Sequence, residues 1–218
     1  MAYAAARKFM VDGQLRPNKV TDPLVLASMA RLPREAFVPP AAMARAYADE
    51  PVPLAPGRAM MAPMVLARLV QALMPRLGES ALVVGAGQGY AAAVLADLGV
   101  VVTALEEDAA LLAAARLAWS MTVPGAVPLA VHGPLAMGHA ATAPYDIILL
   151  DGAVSTLPDA ITAQLAEGGR IAMVQLREAA VARAMLGRKL QGQLFLTPIM
   201  DASASVLPGF ARAAGFVF

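Results

Sequence analysis

Short apolar runs that alternate with glycine turns and helical stretches between residues 80 and 174 constrain the fold more than any other feature. Five runs are predicted to be strands: 81–84, 100–105, 127–131, 147–150 and 170–174. They are largely continuous and do not alternate with polar residues. Continuous apolar strands separated by helices indicate a parallel sheet covered on both faces. The sequence therefore predicts a doubly wound, Rossmann-like α/β fold.

The residues before this core have helical patterns. Thr21 is the expected N-cap of a helix that Pro33 ends, and a short helix is expected at 41–47. Prolines and a glycine within 51–57 predict an irregular extended stretch, after which an apolar-periodic helix follows around 65–73.

The residues after the core are less clearly patterned. The stretch 179–186 fits a helix by propensity and a strand by context, whereas 193–199 and 204–207 resemble strands.

Composition excludes several classes of protein. A chain of 218 residues with 59% hydrophobic and 15% charged residues has the composition of one folded domain. Its formal net charge of +1 gives no basic field for nucleic acid, so we expect no nucleic-acid partner. With no cysteine and only two histidines, His132 and His139, we expect no metal site.

The expected location follows from hydropathy. No apolar run approaches the roughly 18 residues that a membrane span needs. Residues 1–8 carry their charges after the apolar part, which is the wrong order for a secretory signal. We therefore expect a cytoplasmic protein, and its lightly charged surface favours a homo-oligomer.

A glycine-rich turn follows the first predicted strand and opens a helix. It consists of Gly85, Ala86, Gly87, Gln88 and Gly89. Glycine permits a tight turn and lets a ligand approach the backbone closely. The G-x-G-x-G spacing is typical of methyltransferases, in which this turn holds the aminoacyl end of S-adenosylmethionine. The alternative is a turn with a structural role only.

A carboxylate ends the second predicted strand. Glu106 can accept hydrogen bonds from both hydroxyls of a ribose, as the equivalent acid does in dinucleotide-binding folds. The alternative is that Glu106, Glu107 and Asp108 carry charge at the N-terminus of the next helix, and this is the preferred interpretation for the last two.

Several further segments resemble one family in order along the chain. They are Gln14-Leu15, Val20 to Pro23, Pro33 to Pro39, Ala46 to Asp49, Pro53-Leu54, Pro144 to Asp146, Gln164-Leu165 and Gly168 to Arg170, with a weaker match at Val206 to Pro208. Together with the glycine turn, they make the chain resemble the protein-L-isoaspartate O-methyltransferases over about residues 14–210. The segment 33–39 is the most specific.

The resemblance implies a fold and a reaction. The fold is a seven-stranded sheet whose last strands are antiparallel, so 179–186 is expected to be a strand. We expect one domain of residues 1–218, with a helical N-terminal segment (1–77), a cofactor-binding core (78–176) and C-terminal strands (177–218). The cofactor is S-adenosyl-L-methionine, the product is S-adenosyl-L-homocysteine, and the acceptor is the carboxylate of an L-isoaspartyl residue in a damaged protein or peptide.

The chain departs from the family at positions that would contact ligands. Met61 stands where the family has a serine, and a thioether cannot donate a hydrogen bond to a carboxylate. Val83 replaces an acidic residue. Gly133 and Pro134 stand where the family has a Gly-Asp pair that contacts adenine. We therefore expect weakened cofactor affinity and weak isoaspartyl methylation.

Asp151 is a departure in the opposite direction. It adds a carboxylate just after the fourth predicted strand, where the family has a small or hydroxyl residue, and is our candidate catalytic residue. Its alternative role is an Asp-Gly turn with Gly152.

Three kinds of function remain open from the residues. The first is a methyltransferase for isoaspartyl carboxylates or another small acceptor. The second is a catalytically silent relative that serves as a binding or assembly module. A nicotinamide oxidoreductase is disfavoured by the glycine spacing and by the helical N-terminal segment.

Overall fold

The structure, a computed structural model, describes residues 2–177 and 180–211 and contains nine strands within them. In chain order they are β1 (Val52–Ala55), β2 (Arg58–Met60), β3 (Ser80–Val84), β4 (Val101–Glu106), β5 (Leu129–His132), β6 (Tyr145–Val154), β7 (Leu165–Arg177), β8 (Ala180–Leu190) and β9 (Gln193–Asp201). The first two form a separate hairpin. The other seven form one sheet in the order β5-β4-β3-β6-β7-β8-β9.

The direction of the strands confirms the predicted fold class. The pairs among β3 to β7 are all parallel, and β8 and β9 are added antiparallel. The strand predicted within 179–186 is present as β8, because pairing along β7 outweighs the helical propensity of the segment. Ala179 lies outside the described residues.

Six α-helices accompany the sheet within the described ranges. They are α1 (Ala2–Phe9), which continues as a π-helical turn at Met10–Leu15, α2 (Pro23–Arg31), α3 (Pro63–Leu73), α4 (Tyr90–Asp97), α5 (Ala109–Thr122) and α6 (Asp159–Ala163). The prediction that Thr21 caps α2 is wrong. The cap is Asp22, whose carboxylate accepts hydrogen bonds from the N–H groups of Leu24 and Val25 at 2.8 and 3.2 Å.

Three other local predictions are corrected. The helix expected at 41–47 is a 3₁₀ helix at Pro40–Arg45. The stretch 51–57 is extended as expected, but it forms β1, with a register shift between Pro53 and Ala55, and the turn before β2. The strand expected at 204–207 is reduced to one bridge between Val206 and Ala153.

The core lies on both faces of the sheet. Along β3, Ala81 and Val83 pack in one apolar cluster with the N-terminal helices, whereas Leu82 and Val84 pack in a second cluster on the other face. Successive side chains of a strand point to opposite faces, so a strand that is buried on both must be apolar throughout. This explains the continuous apolar runs.

Candidate functional site

The candidate site lies where the central parallel strands end. The register aligns Val84 of β3 with Leu105 of β4 and Leu150 of β6. The glycine turn that follows β3, Glu106 at the end of β4 and Asp151 within β6 therefore lie side by side near the carboxyl edge of the sheet. Ligands of open α/β sheets bind at this edge.

The glycine turn needs its glycines for two reasons. Gly85, Gly87 and Gly89 have φ angles of +75°, +57° and +91°, which disfavour any other residue. A Cβ would also meet neighbouring side chains, at 2.5 Å from Leu207 for Gly85 and at 2.7 Å from Leu54 for Gly87. Side chains of the chain itself therefore lie against the turn.

Gly89 has a packing role. A Cβ there would lie 2.6 Å from the ring of Trp119, and the indole Nε1–H of Trp119 donates to the carbonyl of Gly89 at 2.9 Å. This contact fastens the start of α4 to α5. The sequence-based view of Trp119 as a packing residue agrees with it.

Glu106 is completely buried and accepts five hydrogen bonds. Arg58 donates to both oxygens, from Nη1 to Oε1 at 2.6 Å and from Nη2 to Oε2 at 2.7 Å. The backbone N–H of Gly87 donates to Oε2 at 2.7 Å, and those of Glu107 and Asp108 donate to Oε1 at 2.9 and 3.0 Å. A carboxylate has about four lone-pair positions, so this one is saturated.

Arg58 belongs to β2 and is itself 8% exposed. Its Nη2 also donates to the carbonyl of Gly85 at 3.1 Å. Burial acts to lower the pKa of Arg58, but the hydrogen bonds and charge of Glu106 raise it above its ordinary value. Arg58 therefore stays charged and bridges the glycine turn and the carboxylate.

The other acidic residues after β4 have local roles. Asp108 caps α5 by accepting from the N–H groups of Ala110 and Leu111 at 2.8 and 3.1 Å, as expected. The carbonyl of Glu107 contacts Nε2 of His132 at 3.0 Å.

Gly133 and Pro134 lie beside Glu106 because β5 pairs with β4. Glu106 is opposite His132 in the register, and the N–H of Gly133 donates to the backbone carbonyl of Glu106 at 3.1 Å. Pro134 is exposed and has no N–H to offer. The turn residues Gly85 and Ala86 both donate their N–H groups to the carbonyl of Leu105.

Asp151 lies within β6 and not after its end, so the predictions that it follows the fourth strand or forms a turn with Gly152 are wrong; its side chain is buried. Its Oδ1 has no hydrogen-bond partner within the described part of the chain. Burial raises the pKa of Asp151 to about 7, although the charges of Arg58 and Arg34 oppose this rise. Asp151 is therefore partly protonated at neutral pH.

Residues of the N-terminal segment pack against Tyr90, which directly follows the glycine turn. The guanidinium carbon of Arg34 lies 4.8 Å from the ring centroid of Tyr90, the residue that follows Gly89, and Phe37 packs edge-on against the same ring. Arg34 is fully buried and donates to the backbone carbonyls of Ala46 and Met61. The side chain of Met61 is 1% exposed and belongs to the core.

The structure brings together the glycine turn, Glu106, Gly133 and Asp151, and it places the side chains of Val83 and Met61 in the core. Sequence reasoning did not identify Arg58. A signal was present, because Arg58 is the one charged residue between Pro51 and Pro63. A buried charge needs a partner, but nothing in the sequence indicates that this partner is Glu106.

Two classes of site are not seen in the described ranges. No group of three or more potential ligands is arranged to hold a metal ion. No helix there has the length and apolar character to cross a bilayer.

Comparison with known proteins gives consistent matches. The model of the family protein-L-isoaspartate(D-aspartate) O-methyltransferase matches residues 6–200. A protein-L-isoaspartate O-methyltransferase of Methylorubrum populi is 44% identical over 77% of this chain and 78% of its own length. One from Koribacter versatilis is 37% identical over 91% of this chain and 89% of its own.

Two solved structures share the fold. A protein-L-isoaspartate O-methyltransferase superposes with a TM-score of 0.80 at 21% identity, over 93% of this chain and 66% of the other. A Plasmodium falciparum protein assigned to the same activity, in complex with S-adenosyl-L-homocysteine, gives 0.76 at 19% identity, over 92% and 97%.

The seven-stranded sheet with a reversed end, the G-x-G-x-G turn and the acid that ends β4 define a Rossmann-type methyltransferase. Within this class, the family match and the identity to its members are decisive. The chain belongs to the protein-L-isoaspartate(D-aspartate) O-methyltransferase family, and the resemblance predicted from the sequence is confirmed.

Proposed function

We propose that this chain transfers a methyl group from S-adenosyl-L-methionine to the carboxylate of L-isoaspartyl residues in proteins or peptides, in the cytoplasm and as a single domain. Membership of the family over residues 6–200 carries the proposal. The position of Glu106 beside the glycine turn at the carboxyl edge of the sheet supports it.

The residues present fit the cofactor in chemical type. Glu106 would be the acceptor for two ribose hydroxyls, the turn from Gly85 to Gly89 would face the aminoacyl end, and Gly133 and Pro134 would border the adenine. The space beside the turn, however, is occupied by Leu54, Arg58 and Leu207. The cofactor would supply an electrophilic methyl group on a sulfonium sulfur.

The acceptor side needs no general base, because an ionised carboxylate is already a nucleophile. The chain contributes by orienting this group and by excluding water from it. Asp151 is the candidate to contact it. In its protonated form Asp151 can donate a hydrogen bond to the acceptor, whereas its ionised form would repel it.

The test is a pair of measurements on the whole chain. We expect calorimetric titration to detect binding of S-adenosyl-L-homocysteine, and a radiolabelled methyl group to be transferred to an isoaspartyl peptide but not to its aspartyl isomer. Binding without transfer would point to a different small acceptor. Failure to bind, even in the Arg58 variants described below, would leave the binding or assembly module as the function.

We expect Met61→Ser to raise the rate of transfer, by up to about a hundredfold, since a hydroxyl can orient the acceptor carboxylate and a misplaced nucleophile loses about this much. Because Met61 is buried, the matched control is Met61→Ala, which leaves a similar cavity without a hydroxyl. Equal rates for the two variants, with equal folded fractions by circular dichroism, would refute a role for the hydroxyl.

A further inference from the structure

Glu106 is the ligand-binding carboxylate of the proposed function, yet all of its acceptor capacity is used within the chain. Arg58 donates one hydrogen bond to each carboxylate oxygen of Glu106. The two hydroxyls of a ribose would donate in the same way. The three backbone donors are fixed by the turn and by the start of α5. Of the five bonds, only the two from Arg58 can be exchanged without unfolding these elements.

The β1–β2 hairpin, which carries Arg58, also packs directly against the glycine turn. Leu54 of β1 lies against Gly87, and Arg58 of β2 lies against Gly85. Both side chains stand in the space that the glycines leave open. The hairpin therefore fills the place of a ligand with two side chains, one polar and one apolar.

The hairpin is a sheet of its own, anchored by the buried side chains of Val52 and Met60. Its strands of four and three residues pair with each other and belong to no other sheet in the described ranges. Pro56 and Gly57 form an exposed turn, and isolated two-stranded hairpins are only marginally stable. Because Val52 and Met60 fix its base in the core, the part free to rearrange is the turn with the side chain of Arg58, which is held to the site by its hydrogen bonds to Glu106 and Gly85.

Asp151 offers the displaced guanidinium another carboxyl group, whose carbonyl oxygen can accept a hydrogen bond while its protonated oxygen donates one to the methyl acceptor. Its Oδ1 is buried and unpartnered in the described chain, and the charge of Arg58 acts against the rise in the pKa of Asp151 that burial causes. A buried charge without a partner is unfavourable, so an arginine that leaves Glu106 gains from a nearby acceptor.

We propose that Arg58 competes with the adenosyl cofactor for Glu106, and that the cofactor binds only when the β1–β2 hairpin withdraws this side chain. The proposal rests on the proposed function, because it takes the ligand of Glu106 to be an adenosyl group. In the conformation described above, the cofactor site is therefore closed by Arg58.

The first experiment measures the Kd of S-adenosyl-L-homocysteine by calorimetry. Arg58→Met keeps an apolar stem but leaves Glu106 without its charged partner, so we expect the Kd to fall at least about tenfold. Arg58→Lys, which cannot span both oxygens, should give an intermediate value. Arg45→Met is the matched control, since Arg45 pairs with Glu50 on the exposed surface beside the hairpin, and should leave the Kd unchanged.

The second experiment follows the hairpin in the parent chain. The protein has no cysteine, so Pro56→Cys places a single environment-sensitive fluorophore on the exposed turn. We expect S-adenosyl-L-homocysteine to change its emission, at lower concentrations when Arg58→Met is added.

The outcomes separate the two proposals. Weaker or unchanged binding by Arg58→Met, or binding without a change in emission, would overturn the competition while leaving the methyltransferase proposal intact. Absence of binding in the parent and in every variant would overturn both.

Discussion

Replacing Trp119 by alanine should lower the free energy of unfolding by about 3–5 kcal/mol, which is the range for removing a large buried aromatic side chain. Trp119 is fully buried and fills the space above Gly89. Its loss would open a cavity between α4 and α5 and leave the carbonyl of Gly89 without its donor. The start of α4, and with it the glycine turn, would then be less well fixed.

Urea unfolding followed by far-ultraviolet circular dichroism measures this effect, since Trp119 is the only tryptophan in the chain and its fluorescence is lost with it. Trp119→Phe is the control. It keeps an aromatic ring but removes the indole N–H, so we expect a smaller loss of about 1–3 kcal/mol. A change below about 1 kcal/mol for the alanine variant would show that the contact does not stabilise the turn.

Asp151→Asn should stabilise the protein at neutral pH by a few kcal/mol and have little effect near pH 4. The folded-state pKa of Asp151 is about 7, against an ordinary value of 3.8. The folded state therefore binds the proton more tightly than the unfolded state. Its contribution to stability is complete below pH 4 and is lost as the pH rises towards 7, by about 1.4 kcal/mol for each pH unit.

The measurement is the difference in unfolding free energy between Asp151→Asn and the parent, taken from pH 4 to pH 8. Taking a difference removes the titration of other groups. One of these is Glu79, whose pKa burial acts to raise but which the hydrogen bond and charge of Arg170 help to hold below its ordinary value. The exposed Asp49→Asn is the matched control and should stay within about 0.5 kcal/mol of the parent throughout. A difference for Asp151→Asn that does not grow with pH would mean that its carboxyl is already ionised in the folded protein.

The elements that could be predicted are those whose signal is local. Continuous apolar runs revealed the strands from β3 to β7, and the spacing of Gly85, Gly87 and Gly89 revealed the turn, because burial on two faces and positive φ angles each demand particular residues. The cap of α2 was missed by one position, since Thr21 and Asp22 are both good N-cap residues and only the backbone geometry decides between them.

What could not be predicted depends on residues far apart in the chain. The pair between Arg58 and Glu106 spans 48 positions, and no local pattern indicates it. The segment around Leu207 has the composition of a strand, but it lies over Gly85 and Gly152 with a single bridge to β6. Its position is set by the small residues beneath it.

The three glycines of the turn are required by packing as well as by any ligand. Each is held in place by a side chain of the same molecule, Leu207 at Gly85, Leu54 at Gly87 and Trp119 at Gly89. Selection for folding alone would therefore retain all three, even in a descendant that had ceased to methylate anything. The G-x-G-x-G signature of such a chain therefore indicates an intact fold and does not by itself indicate that methyl transfer persists.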